Sequence, residues 1–253
     1  MIASERRRYI LETLGSKGVI ILKDTTRELG VSEITVRRDF EKLEADGKLK
    51  RVQGGATALE DPDGAELTMI GKLPQDMDKK EAVAAFAASM VEEGESVFID
   101  GGTTMVPLAA LLMKKRIRII TYNTLLLPKA AHPSAQIIII GGEYLPYYNM
   151  NLGPLAQDML KQFYFDRAFI GCSGIDLAQR KVYLTEPGSL SMKRIAMENA
   201  KKNYLLVDAS KFSKRGFLQL CDLDRFDAVL ADSFNQEGPM PENIRVPNEN
   251  DKK

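Results

Sequence analysis

The chain has 253 residues, enough for one large domain or two modest ones, and its 44% hydrophobic content supports a sizeable core. Thirty-five Lys/Arg balance 35 Asp/Glu, so net charge singles out no partner. A charged N-terminus without a secretory run, and no apolar stretch near the roughly 20 residues that cross a bilayer, set membrane and secreted classes aside in favour of a cytoplasmic protein.

The charge is uneven along the chain. Residues 1–57 carry 12 Lys/Arg and 9 Asp/Glu, which leaves +3 there and −3 over the rest. A basic head of this kind can meet a polyanion locally. A first helix is expected over Ser4–Leu14, with Ile10, Leu11 and Leu14 inward, and a second over Lys23–Leu29, ended by Gly30. Gly30, Val31 and Ser32 then form a short turn, and Ser32 caps a third helix. On that helix Val36, Phe40 and Leu43 fall on one side, while Arg37, Arg38 and Glu41 face outward. Gly47 stops it, and Lys48–Val52 alternates charge with apolar residues before Gly54-Gly55, the pattern of a short hairpin, or wing.

Helix, tight turn and capped helix make a winged helix-turn-helix over residues 1–57. Its chemistry suits double-stranded DNA. An arginine forks to guanine or clamps a phosphate, which nominates Arg37 and Arg38. Ser32 and Thr35 sit at a positively polarised helix start that favours phosphate. Lys48, Lys50 and Arg51 of the wing complete the expected DNA-binding set.

Residues 58–78, with two prolines, two glycines and four aspartates, read as a linker. From 79 to 235 the pattern is apolar strand, glycine-bearing turn, helix. Ser96–Asp100, Ile117–Thr121, Gln136–Ile140, Arg167–Gly171, Tyr204–Asp208 and Ala228–Asp232 are continuous apolar runs, suited to a mostly parallel sheet covered by helices. The first helix of this part, Lys79–Gly94, places Val83, Phe86, Ala87, Met90 and Val91 inward; the stretches VPLAALLMKK, LLLPKAAH and LSMKRIAMENAKK supply later ones. The polar tail, 236–253, is expected to fray. The fold class is thus α/β: an N-terminal winged helix-turn-helix and a larger C-terminal parallel domain.

Three strand ends carry glycine loops: Asp100-Gly101-Gly102-Thr103-Thr104, Gly141-Gly142, and Gly171 to Gly174. Ligands of open parallel sheets bind at the carboxyl ends of the strands. There glycine lets backbone N–H groups approach a phosphate and a helix start adds positive charge. Thr103 and Thr104 add hydroxyls, Asp100, Asn123 and Thr124 can hydrogen-bond a sugar, and Lys211 can neutralise an anion. Tyr144–Tyr148 reads as a packed loop or a border to the ligand. Cys172 and Cys221 are expected as free thiols. His132, the only histidine, falls in a loop. No metal cluster, nucleophile elbow or Walker loop is present. No catalytic residue, metal or cofactor is therefore assigned.

Both parts resemble the DeoR family of bacterial transcriptional regulators. The head matches the pattern V-S-x-x-T-x-R-R-D-L-x-x-L-x-x-x-G at Val31, Ser32, Thr35, Arg37, Arg38, Asp39, Leu43 and Gly47, then Gly54-Gly55-Ala56, with Phe40 where leucine is usual. The body resembles the family over 79–232 in Asp100 with Gly102-Thr103-Thr104, in Tyr122-Asn123-Thr124, in Gly141-Gly142, in Gly171 with Gly174-Ile175, and in Asp208 with Ser210-Lys211-Phe212. It departs in three places: Gly101 replaces a serine or cysteine, Tyr122 replaces a threonine, and Glu186 is the only acidic residue before Lys193-Arg194 where the family often has a cluster.

The resemblance implies a body similar to ribose-5-phosphate isomerase and coenzyme A transferases that senses a phosphorylated sugar or related metabolite, with Glu186 added to the effector set. It implies a repressor of a carbohydrate-metabolism operon, acting as a homo-oligomer (dimer or tetramer). The alternative is a sugar-phosphate isomerase carrying a DNA-binding head, with Asp100 or Glu186 and Lys211 moving protons.

Overall fold

A computed structural model describes residues 2–17, 19–46, 48–52, 54–57 and 69–247. They fall into two compact units that divide between Gln75 and Asp76.

The first unit opens with helix α1 (Ala3–Lys17), strand β1 (Val19–Ile21) and helix α2 (Leu22–Leu29). Gly30 closes α2 with φ 63°, its N–H returning to the Thr26 carbonyl. Helix α3 (Glu33–Ala45) follows, then strands β2 (Lys50–Val52) and β3 (Gly55–Thr57). Ile10 and Leu14 of α1 meet Val36, Phe40 and Leu43 of α3 in one core with Ile20, Leu22, Leu49 and Ala56, and Leu11 packs at its margin.

The first helix continues past Leu14, its expected end, to Lys17, and a further strand, β1, follows. This strand pairs antiparallel with β3, whose other edge holds β2, so the wing is a three-stranded sheet. Gly55 permits that pairing, because a Cβ there would lie 2.0 Å from the Ile20 carbonyl oxygen. The helix stop assigned to Gly47, and linker residues 58–68, lie outside the described residues. Of the remaining expected linker, Met69–Lys72 forms a short helix, α4, and helix α5 (Met77–Ser89) begins within it.

The second unit continues with β4 (Ser96–Ile99), α6 (Met105–Leu112), β5 (Arg118–Thr121), β6 (Gln136–Ile139), the hairpin β7 (Glu143–Leu145) and β8 (Met150–Leu152), α7 (Pro154–Leu160) and β9 (Phe165–Gly171). Then come β10 (Gly174–Asp176), β11 (Lys181–Leu184), α8 (Gly188–Glu198), β12 (Ala200–Val207), β13 (Leu218–Asp222), β14 (Ala228–Ala231) and β15 (Ile244–Arg245). Seven strands form one sheet in the order β15-β14-β12-β9-β4-β5-β6, and every pair in it is parallel. Consecutive residues Val97, Phe98 and Ile99 are all fully buried. Since neighbours on a strand point to opposite faces, both faces are covered. Helix α5 packs on β12 and β14 beside α6, and α8 packs on β9 and β12 beside α7.

All six expected strands lie in this sheet. The LLLPKAAH stretch is 3₁₀ rather than α, over Thr124–Lys129 with Pro128 inside, because proline removes an N–H that a longer helix needs. The hairpin β7–β8 and the antiparallel sheet β10-β11-β13 were not expected. Nor was β15, which lies in the tail read as fraying. Ile244 is 2% exposed and pairs with Val229, so the sheet gains a seventh strand; residues 248–253 lie outside the described set. Replacing Ile244 with Ala should therefore cost about 2–5 kcal/mol in urea unfolding, the range for deleting a buried aliphatic side chain. A loose tail would show no loss.

Candidate functional site

In the head, Ser32 caps α3. Its Oγ accepts the Thr35 N–H at 3.3 Å and lies 2.9 Å from Thr35 Oγ1. Both hydroxyls thus stand at the helix start, joined to each other and exposed or half-exposed. Arg37 and Arg38 are exposed. Arg37 lies 3.6 Å from Glu33 on the same helix face, a weak solvated contact, whereas no carboxylate among the described residues holds Arg38.

Asp39, next in the motif, turns inward and accepts from Arg6 at 2.8 Å with both side chains largely buried. It fastens α3 to α1 and so fixes which way Arg37 and Arg38 point. Lys48 and Lys50 stand exposed on the wing. Arg51 departs from its expected role as a free backbone cation. Its guanidinium pairs with Glu44 at 2.7 Å and Glu41 at 2.9 Å, and its N–H donates to Glu44 at 2.8 Å. These bonds hold the Glu44 carboxyl below its usual range and raise the Arg51 guanidinium above its own. Arg51 links the wing to α3, with its charge set against two carboxylates.

In the body, the parallel sheet brings the three glycine loops to one edge, since β4, β6 and β9 all run the same way. Strand order reverses between β4 and β9, the position where an open α/β sheet leaves a crevice. Asp100 ends β4 there, fully buried. One oxygen accepts from the Gly171 N–H at 2.8 Å and from the Lys193 ammonium; the other accepts from the Tyr122 hydroxyl. Lys193 also donates to the Gly171 carbonyl at 3.0 Å. Burial, and then the Asp100 charge beside it, push the Tyr122 hydroxyl well above its ordinary value, so it remains a donor.

This differs from the expectation that Asp100 faces a sugar: both its oxygens are engaged inside the protein. Lys193 was absent from the expected site, and Tyr122, expected with Asn123 and Thr124 to meet a sugar, gives its hydroxyl to Asp100 instead. The signal for Lys193 lay in the helix pattern, where Ser189, Met192, Lys193, Ala196 and Met197 form the buried face of α8, a lysine in an otherwise apolar stripe. Gly101 and Tyr122, two departures from the family pattern, lie against each other. A Cβ at residue 101 would come within 2.3 Å of the Met150 side chain and 2.8 Å of the Tyr122 ring. Glycine at this position therefore leaves room for both the Met150 side chain and the Tyr122 ring.

The other expected effector residues divide by what they still offer. Asn123 is buried, with its amide donating to the Asp100 and Gly102 carbonyls at 3.2 and 3.3 Å and its oxygen accepting from Leu125 at 3.0 Å. It braces the first loop. Thr124 Oγ1 donates to the Asn149 carbonyl at 2.9 Å. Glu186 accepts from the N–H groups of Gly188, at 2.6 Å, and Ser189, capping α8. Gly174 is buried in β10, and the neighbouring Ile175 bridges to Phe212, which sets Lys211 beside this loop. Lys211 is half-exposed and 3.9 Å from Asp208.

Gly102, Thr103 and Thr104 precede α6, and neither threonine hydroxyl makes a hydrogen bond among the described residues. Gly141 and Gly142 are exposed and lie at the end of β6, with β5 between them and β4. The Tyr144–Tyr148 stretch forms one arm and the turn of the β7–β8 hairpin, where Tyr147 and Tyr148 stack edge-on at 4.9 Å. Cys172 and Cys221 are free thiols, with loss of hydration pushing Cys172 up to about 12 and Cys221 to about 11.

Comparison with known proteins places the whole chain. A family model described as the DeoR-like helix-turn-helix domain matches residues 6–61, and one described as the DeoR C terminal sensor domain matches 75–233. A lactose phosphotransferase system repressor from Lactococcus lactis subsp. lactis is 34% identical over 95% of this chain and 94% of its own length. One from Staphylococcus aureus (strain NCTC 8325 / PS 47) is 29% identical over 92% and 93%. Among solved structures, ribose 5-phosphate isomerase A from Methanocaldococcus jannaschii matches at 18% identity and a TM-score of 0.40, over 55% of this chain and 56% of that one.

The Asp100–Lys193 pair makes a prediction about stability. Removing one partner of a buried ion pair leaves an uncompensated charge, so Lys193→Met should cost about 3–5 kcal/mol in urea unfolding. Adding Asp100→Asn to that variant should recover part of the loss, and additive losses would show that the two groups do not interact.

Proposed function

This chain belongs to the DeoR family of bacterial transcriptional regulators, and on that premise we propose that it represses a carbohydrate-metabolism operon under control of a phosphorylated sugar or related metabolite. Helix α3 enters the major groove of operator DNA, with Arg37 and Arg38 reaching base edges or phosphates, Ser32 and Thr35 meeting the backbone, and Lys48 and Lys50 of the wing lying along it. One such head makes a small contact, so paired half-sites require a homo-oligomer, a dimer or tetramer. The protein acts in the cytoplasm, with no membrane partner.

The effector's phosphate sits on the Gly102-Thr103-Thr104 loop at the start of α6, facing Lys211. Gly171–Gly174 and, at the outer strand, Gly141-Gly142 border the sugar. Asp100, Gly101, Asn123, Thr124 and Glu186 hold this edge in shape from behind. The observation that carries the reading is the union, in one chain, of a capped helix presenting Arg37 and Arg38 and a parallel sheet whose glycine loops share one edge. The phosphotransferase in the relatives' names fits a phosphorylated sugar as the signal. A regulator rather than an isomerase is favoured because the carboxylates that proton transfer would use are both engaged, Asp100 by Lys193 and Tyr122 and Glu186 by two backbone N–H groups.

An effector regulates only if it binds the DNA-competent and DNA-incompetent states with different affinity. A thermal-shift screen of sugar and polyol phosphates on the purified chain, followed by DNA titration with each hit, tests this. A metabolite that stabilises the protein yet leaves operator affinity unchanged would refute the regulatory reading, and turnover of a sugar phosphate would favour the isomerase.

Two variants separate the halves of the mechanism. Arg38→Ala should weaken operator binding about tenfold or more with little change in melting temperature, since the side chain is exposed. Thr104→Glu, at the half-exposed threonine of the loop, puts a negative charge where the phosphate sits and should abolish the metabolite response while DNA binding persists.

A further inference from the structure

Ile34 stands outside the core of the head, a large apolar side chain left 65% exposed. It is the second residue of α3, one turn before the arginines. The start of this helix is already complete without it. Ser32 and Thr35 cap it. Val31 and Val36, which flank the cap as an apolar staple does, both pack on the core, whereas Ile34 does not. A β-branched residue at an exposed helical position is also a poorer helix former than the alanine, glutamate or lysine that would serve there.

Position supplies what local stability does not. Residues three and four apart share a helix face, so Ile34 lies in one stripe with Arg37 and Arg38, at its N-terminal end. In helix-turn-helix proteins the first residues of the second helix approach the base edges most closely. Of the groups that bases show in the major groove, only the 5-methyl of thymine is apolar.

We propose that Ile34 is a specificity-determining residue that packs on the 5-methyl group of one thymine in each operator half-site, close to the base read by Arg38. The inference rests on the DNA-binding reading above and adds to it a base preference. Glu33, beside Ile34, lies 3.6 Å from Arg37 across the same turn, an exposed contact that leaves that guanidinium available to DNA. Burial of a methyl group against a branched side chain is worth about fourfold in affinity.

The test begins with selection of binding duplexes from a randomised pool by the purified full chain. Deoxyuridine is then placed at each thymine of the selected duplex in turn, which removes only the 5-methyl. For the unmodified protein, one thymine per half-site should weaken binding about fourfold on this change. Ile34→Ala should bind the thymine duplex about as weakly as the unmodified protein binds the uracil one, should be indifferent to uracil at that position, and should select duplexes with that thymine no longer enriched. Its melting temperature should match that of the parent, because the side chain is exposed.

If Ile34→Ala retains the same uracil sensitivity at every thymine, the contact is not made by Ile34 and the inference is overturned while DNA binding stands. If no uracil substitution affects the unmodified protein, no thymine methyl is read and the inference is likewise overturned. A pool with no enrichment would refute DNA binding itself and this inference with it.

Discussion

The ion pair between Asp100 and Lys193 stands where the chain changes direction within its main sheet. From β4 the sheet grows first through β5 and β6, and then, on the other side, through β9, β12, β14 and β15. Asp100 ends β4, Gly171 ends β9, Tyr122 follows β5, and Lys193 comes from α8; one carboxylate joins all four. Separated, each charge would be costly in so dry a place. Together they satisfy one another, and the surrounding loops take their positions from them. Asn123 extends the same network by holding the Asp100 and Gly102 carbonyls. The edge that carries Gly102, Thr103 and Thr104 is thus shaped by Asp100, Tyr122, Asn123 and Lys193 packed behind it.

A similar division of labour orders the head. Of the cations near the DNA-reading helix, Arg6 and Arg51 are engaged with carboxylates on α3: Arg6 with Asp39 from the side of α1, Arg51 with Glu41 and Glu44 from the wing. These pairs fix the helix between its two neighbours. Arg37 and Arg38 remain outward. Charge that would appear as one basic patch in a residue count is thereby separated into bracing and presenting groups, with different consequences for mutation. The Arg6–Asp39 pair is largely buried and the Arg51 pairs are exposed, so the first binds the helices more firmly than the second binds the wing.

Regulation in such a protein is a matter of linkage between two folded units. An effector influences DNA binding only to the extent that it prefers one state of the protein over another, and DNA then changes the effector's affinity by the same factor. A phosphate on backbone N–H groups supplies affinity for many metabolites alike; discrimination among them falls to the groups that meet the sugar. Gly101, the Met150 side chain and the Tyr122 ring pack closely together beside Asp100.

The amino-acid order alone determined the helix-turn-helix, because capping by Ser32, the αL turn at Gly30 and the inward spacing of Val36, Phe40 and Leu43 are local events. It determined the six central strands as well, since runs such as Ser96–Asp100 bury on both faces and admit no polar alternation. What tertiary structure decided were the pairings between distant residues. Asp100 and Lys193 are 93 residues apart, and Arg6 and Asp39 are 33 apart; no local pattern says that either charge will be cancelled. Strand β15 escaped for the same reason. Two residues have no period to read, and Ile244 becomes a strand only because β14 presents an open edge beside it. Local chemistry is written in neighbouring residues, whereas the availability of a charge or an edge depends on which partner the fold brings to it.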